Sequence, residues 1–432
     1  MKPVVAILSC IAMISLTACQ HQVPPSQASA VGRATTISDV PDDLFERLVA
    51  IRRDIHQHPE LAGNEFRTSE KIATHLRQLG LDVQTGLHGQ SVIATLVGTR
   101  PGKTIVWRAE LDALPGFYPD PEPFRSTTHN VHHACGHDLH IAVALGIAEV
   151  LSRHRATLNG RVVFIFQPEE ETFKGAKALV DSGTFAAIRA DEIYGMHVTA
   201  FPVGDIHVRS GEMFAHQRRV RISLGDQLPQ KDAEALGKHI AGTLFRARPG
   251  AKPWEIQRLV DPAIGVGSPD TAFQDYRFVS GEFAVRVEHG QTQLEADLYE
   301  TNTAELAHLT TRIEHAVAAM GHQRHLQGVA MVQANPTIHN DFQLTESSVR
   351  TLQETFGRDA IKTLFGQAPF FNDDFAYFQR STPGVYFFVG ASNFAKGMVA
   401  FNHAPNFHAD EDSIRVAVSR FSALLLSRVA AI

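Results

Sequence analysis

The segment Arg161-Val162-Val163-Phe164-Ile165-Phe166 constrains the fold more than any other stretch of the chain. A strand without alternating polar positions suits burial on both faces, the environment of a central strand in a largely parallel sheet. Parallel neighbours need crossovers, usually helices, and segments of helical period stand where crossovers are required. They cover residues 42–58, with Leu44, Leu48 and Ile51 on one face, residues 65–79, stopped by Gly80, and residues 140–151, 176–180 and 412–429. Further strands are expected at residues 91–97, 104–109 and 384–389, and residues 192–197 read as a strand passing into a loop. This alternation predicts an α/β fold, a mostly parallel sheet flanked by helices.

The texture changes after about Met213. Strands near 219–222, 276–287 and 294–299 and helices near 231–246 and 303–320 make a β-α-β-β-α set. An inserted α+β, ferredoxin-like lid or dimerisation domain over residues 214–322 accounts for it, with the catalytic domain divided into 38–213 and 323–432. The formal charge of −6 on 432 residues gives no basic footprint for nucleic acid.

The first residues read as an export signal. Lys2 precedes an apolar stretch, residues 4–16, too short to span a bilayer. It ends in Leu16-Thr17-Ala18-Cys19, which resembles the lipobox of a bacterial lipoprotein. That resemblance implies cleavage before Cys19, lipidation of its thiol and amino group, and a tether over residues 19–37. Gln20, in place of an aspartate, points to the outer membrane facing the periplasm. An ordinary secretory signal is the alternative. With Cys10 removed and Cys19 lipidated, Cys135 is the one thiol left in the folded body, so no intramolecular disulfide can form.

That thiol sits in His133-Ala134-Cys135-Gly136-His137-Asp138, and other metal-binding residue types follow successive strands. Glu110 and Asp112 end one strand, Glu169 and Glu170 another, and His197 and His403 occupy later loops. Open α/β sheets place their sites at such strand ends. A hydrolytic two-metal centre needs a bridging anion, terminal imidazoles or carboxylates, and a position for water. It also needs a carboxylate outside the ligand set to carry the proton from water to the leaving nitrogen. Cys135, His137, Glu170, His197 and His403 can serve as ligands and Glu169 as the base.

The strings RAELDALP, HHACGHDLH, FQPEEE followed by GA, GMH and HAPNF occur in that order. They resemble the motifs of the aminoacylase, hippurate hydrolase and auxin-conjugate amidohydrolase family of co-catalytic metallopeptidases. The resemblance implies that Cys135 bridges two divalent ions held also by His137, Glu170, His197 and His403. It implies that Glu169 is the general base and that Asp112 orients a metal-bound histidine. Two departures keep their carboxylates: Glu110-Leu111-Asp112 stands for Asp-Met-Asp, and Asp373-Asp374-Phe375 for Glu-Asp-Phe. A third does not: the glycine-rich segment ending in Pro-His is missing from residues 220–238, leaving His239, on an expected helix, as a substitute. The Asn-Val-Ile-Pro string is missing as well.

The expected activity is hydrolysis of N-acyl amino acids or small peptides by metal-activated water. A dipeptidase or peptidoglycan-fragment amidase is the second reading, and a lipid-anchored, catalytically inactive metal- or ligand-binding protein the third. A nucleophilic Cys135 would leave the glutamates, His197 and His403 without a role, and no GxSxG elbow supports a serine hydrolase. Thiolate and imidazole ligands favour zinc, while carboxylates also admit manganese or cobalt. A homodimer through the inserted domain is a further expectation.

Overall fold

A computed structural model describes residues 40–431 except 117, 118 and 226. Cys19 and the expected signal and tether lie outside the described residues. Among the described residues, no helix is long and apolar enough to cross a membrane.

The apolar run becomes the strand Asn159–Gln167, and its two-sided burial is literal. Val162, Phe164 and Phe166 enter one hydrophobic core, while Val163 and Ile165 enter another on the opposite face. The strand Arg100–Glu110 divides likewise, with Ile105 and Trp107 to one side and Val106 to the other. These strands belong to an eight-stranded mixed sheet. At its centre, Asn159–Gln167, Arg100–Glu110, Glu192–Pro202 and Gly384–Ser392 lie side by side and parallel. From Arg100–Glu110 the chain visits first one neighbour and then the other. This reversal opens a crevice beyond the carboxyl ends of the strands.

One face carries the helices Asp42–Gln57, His137–Arg153 and Asp412–Ala430. The middle helix, His137–Arg153, is buried from His137 through Leu151 because sheet and helices enclose it. It starts at His137, not at 140 as expected, so His137 and Asp138 belong to its first turn. His197, expected in a loop, lies within the strand Glu192–Pro202.

The second sheet is antiparallel, with order Arg277–Val279, Gln291–Glu300, His216–Leu224, Leu326–Gln333. Ala284–Glu288 continues the first edge, so one interrupted strand pairs along Gln291–Glu300. With the helices Gln230–Leu244 and Leu309–Ala319, this is the ferredoxin-like pattern. Its last strand, Leu326–Gln333, falls beyond the expected boundary at 322.

Candidate metal centre and active site

The loop before the helix His137–Arg153 delivers two candidate ligands through one glycine. Gly136 takes φ +90°, and a Cβ there would lie 2.4 Å from Val198 Cγ2. The left-handed turn, open to glycine at little cost, lets Cys135 in the loop and His137 in the helix face one place.

Cys135 Sγ lies 3.3 Å from His197 Nε2 and 3.2 Å from His403 Nε2. His403 Nε2 is 3.3 Å from Glu171 Oε1. His137 Nε2 stands 3.8 Å from Glu170 Oε2 and 4.0 Å from Glu171 Oε1. These separations match donor atoms around shared cations, since bonds of about 2.0–2.3 Å at tetrahedral angles put neighbouring ligands about 3.3–3.7 Å apart. His137 Nε2 is buried and has no hydrogen-bond partner among the described residues.

Two of the imidazoles are turned by their other nitrogen. His137 Nδ1 donates to the Asp112 carbonyl at 2.7 Å, and His197 Nδ1 to the Val198 carbonyl at 2.8 Å, leaving both Nε2 atoms for a cation. His403 comes from a left-handed position, φ +58°, fixed by its amide donating to the Ala134 carbonyl at 3.0 Å. Asp112 does more than orient a histidine. Its carboxylate accepts from the Glu170 amide at 3.2 Å and the Glu171 amide at 2.9 Å, tying the acidic run to the metal-facing loop.

Within that run the carboxylates that face the histidines stand one position later than expected. Glu169, expected as the base, takes φ +57° and turns out of the cluster. Its carboxylate lies 3.3 Å from His88 Nε2, and its amide donates to Glu65 Oε1 at 2.9 Å. Glu170, expected as a ligand, and Glu171, not singled out, are the two that face the histidines. Three consecutive glutamates offer no way to choose among them by composition. The left-handed kink at the first makes the choice.

The charge at the site suits cations. Burial opposes protonation of His137, but Asp112 and Glu110 outweigh it and raise the imidazole to about 10. A place that attracts a proton so strongly attracts a metal ion. Burial, with Glu171 and Glu170 beside it, pushes the Cys135 thiol well up, so a thiolate there needs a cation's charge. Burial and neighbouring His140 hold His197 far below its usual value, keeping it neutral and able to ligate.

A buried ionic layer supports the floor. Arg108 donates to Glu110, to Asp374 Oδ1 at 2.7 Å and to Gln167 Oε1 at 2.8 Å, and pairs with Asp373 at 3.1 Å. Glu110 receives His140 Nδ1 at 2.8 Å, and His140 Nε2 accepts from the Val198 amide at 3.0 Å. His140 is thus fully engaged, a support for His197's strand. It repeats His137 at i+3 on one helix face, a signal readable in HHACGHDLH. His239 sits mid-helix on Gln230–Leu244, and no hydrogen bond or ion pair joins it to the centre among the described residues.

Comparison with known proteins identifies the family. The sequence profile of peptidase family M20/M25/M40 matches residues 106–427. Thermostable carboxypeptidase 2 of Saccharolobus solfataricus is 28% identical over 390 residues, 87% of this chain and 93% of that protein. N-acetylcysteine deacetylase of Bacillus subtilis is 29% identical over 397 residues, 88% of this chain and 96% of that protein. The Bacillus subtilis YXEP protein, described as a dinuclear metal-binding peptidase of the M20 family, superposes with a TM-score of 0.73 at 25% identity. That match covers 91% of this chain and all of the other. By profile, relatives and fold, the chain belongs to peptidase family M20/M25/M40 and is a metal-dependent amidohydrolase.

Proposed function

We propose that the chain hydrolyses the amide bond of N-acyl amino acids. Cys135, His137, Glu171, His197 and His403 would hold two divalent ions, zinc foremost with manganese or cobalt as alternatives. Glu170 would carry the proton. The observation that carries this reading is the turn at Glu169, which sends that carboxylate to His88 and leaves Glu170 beside His137. When bound, the ions supply Lewis-acid polarisation of the amide carbonyl and an acidified water. Glu170, buried and 3.8 Å from His137 Nε2, is placed to take a proton at its carboxylate and return it to the leaving nitrogen. Asp112 fixes the direction of both neighbours through the amides of Glu170 and Glu171.

The deacetylases among the relatives favour an acyl group over a second amino acid, and the carboxypeptidases favour a peptide. A panel of N-acetyl amino acids against dipeptides and blocked peptides separates the two. Glu170→Gln should lose roughly 10²–10⁴ in kcat, the range of a general base, while retaining its metal. Glu169→Gln should stay within a few-fold of the parent. The opposite ranking would overturn the assignment.

The same proposal includes lipid anchoring through Cys19 in the outer membrane, facing the periplasm. It includes a division at about 214 and past 322 into catalytic and inserted domains, and a homodimer. Among the described residues, the strand Leu326–Gln333 pairs only with His216–Leu224, leaving a sheet edge suited to a second copy.

A further inference from the structure

A second cluster of histidines and carboxylates lies on the other side of the HHACGHD loop. His56 Nε2 is 3.0 Å and His132 Nε2 3.2 Å from the same atom, Asp120 Oδ2. The candidate donor atoms of the three residues all fall within 4.8 Å of one another. Both histidines are buried, at 0% and 2% exposure, whereas Asp120 is partly accessible. A cavity of about 340 Å³, walled by Asp120, His132, Arg125 and Ser126 among others, reaches the cluster.

We propose that His56, Asp120 and His132 form a further divalent-metal site, separate from the Cys135 centre, with its fourth position open to that cavity. The nitrogen-to-oxygen distances are near the edge of a tetrahedron with bonds of about 2.0–2.1 Å. His56 is already oriented for the task. Its Nδ1 lies 2.9 Å from Asp138 Oδ2, so the carboxylate directs Nε2 at Asp120, the arrangement that fixes a ligating imidazole. Asp138 is itself held by Arg52 Nε at 2.8 Å, both side chains being fully buried, so the orienting group cannot swing away.

The charge around the cluster favours a cation. Asp120 and Asp138 contact His56 directly, Glu122 and Glu411 pair with Arg52 and Arg53 beside it, and Arg125 lines the cavity, so four carboxylates stand against three guanidiniums. Two imidazoles and one carboxylate select a zinc-class ion over calcium or magnesium, which prefer oxygen-rich shells. A bound ion would fasten the Asp120 loop to the helix Asp42–Gln57. It would also load Asp138, the residue next to His137.

The test is metal stoichiometry on the full chain, stripped with chelator and reloaded with zinc. His132→Met and Asp120→Asn are each expected to bind one ion fewer per chain than the parent, with amide hydrolysis retained within about twofold. Cobalt provides a second, spectroscopic readout on the parent and on a variant of the other centre. Ions at Cys135 give sulfur-to-metal charge-transfer absorption, while the ion at His56 adds ligand-field bands without it. Cys135→Ser should remove the former and spare the latter, so loss of the catalytic centre and loss of this site are distinguished. An unchanged ion count in both variants, or cobalt ligand-field absorption in Cys135→Ser that a further His132→Met leaves unchanged, overturns the proposal.

Discussion

The two sheets of this molecule carry charge in opposite ways. At the end of the central sheet, Arg108 and Glu110 of one strand are buried with Asp373 and Asp374 from a short helix packed against it, and each depends on the others to remain there. In the antiparallel sheet, Arg219 lies opposite Asp297 and Arg221 opposite Glu295, on a face open to water. Its other face holds Val220, Ile222, Leu294 and Leu298 against Leu236, Ile240 and Ile313. A sheet covered on both sides has nowhere to put polar groups except its ends. Burial there makes them interdependent, and that is where the metal-facing residues stand. A sheet covered on one side places its charges where water screens them.

Three measurements would break or sharpen this contrast. The largest effect is expected from Arg108→Met, which leaves three buried carboxylates without their cation. Removing one partner of a buried pair costs roughly 3–5 kcal/mol, so a large fall in the denaturation midpoint is expected. A loss below about 1 kcal/mol would show that the layer is not interdependent.

Glu65 gives the next effect. Burial raises its carboxyl from 4.5 to about 7, although it accepts the Glu169 amide. The folded protein therefore holds a proton that the unfolded chain releases at lower pH. The contribution is fully present below pH 4.5 and is lost as pH rises to about 7. Glu65→Gln, which keeps an oxygen acceptor, should remove that decline, worth on the order of 2–3 kcal/mol. Denaturant titrations at several pH values with parallel profiles for the two proteins would refute it.

The smallest effect belongs to the antiparallel sheet. Arg219→Gln should cost about 0.2–1 kcal/mol, and less at high salt. A larger or salt-insensitive loss would mean that this face is covered, as it would be in an assembly.

Much of the architecture was legible along the chain. The run from Arg161 to Phe166 announced a strand covered on both sides, and it is one. The β-α-β-β-α texture after Met213 was legible because strand and helix periods differ. The closing strand Leu326–Gln333 was not, because its apolar pattern is weak and, among the described residues, it has one strand partner. The start of the buried helix was misjudged by three residues, since Gly136 and two polar residues hide a first turn. Arg52 and His56 of the helix Asp42–Gln57 were not singled out, yet both are fully buried by partners distant in sequence.

The sequence by itself determined the family, the parallel sheet and the set of residue types at the strand ends. Those follow from periodicity and motif order, which are local properties of the chain. Only the tertiary structure decided which glutamates of the run face the histidines. That choice depends on the backbone at Glu169, held by Glu65 from an earlier loop, and on Asp112 grasping the next two amides. Such contacts join residues 58 to 104 positions apart, and no local pattern encodes them.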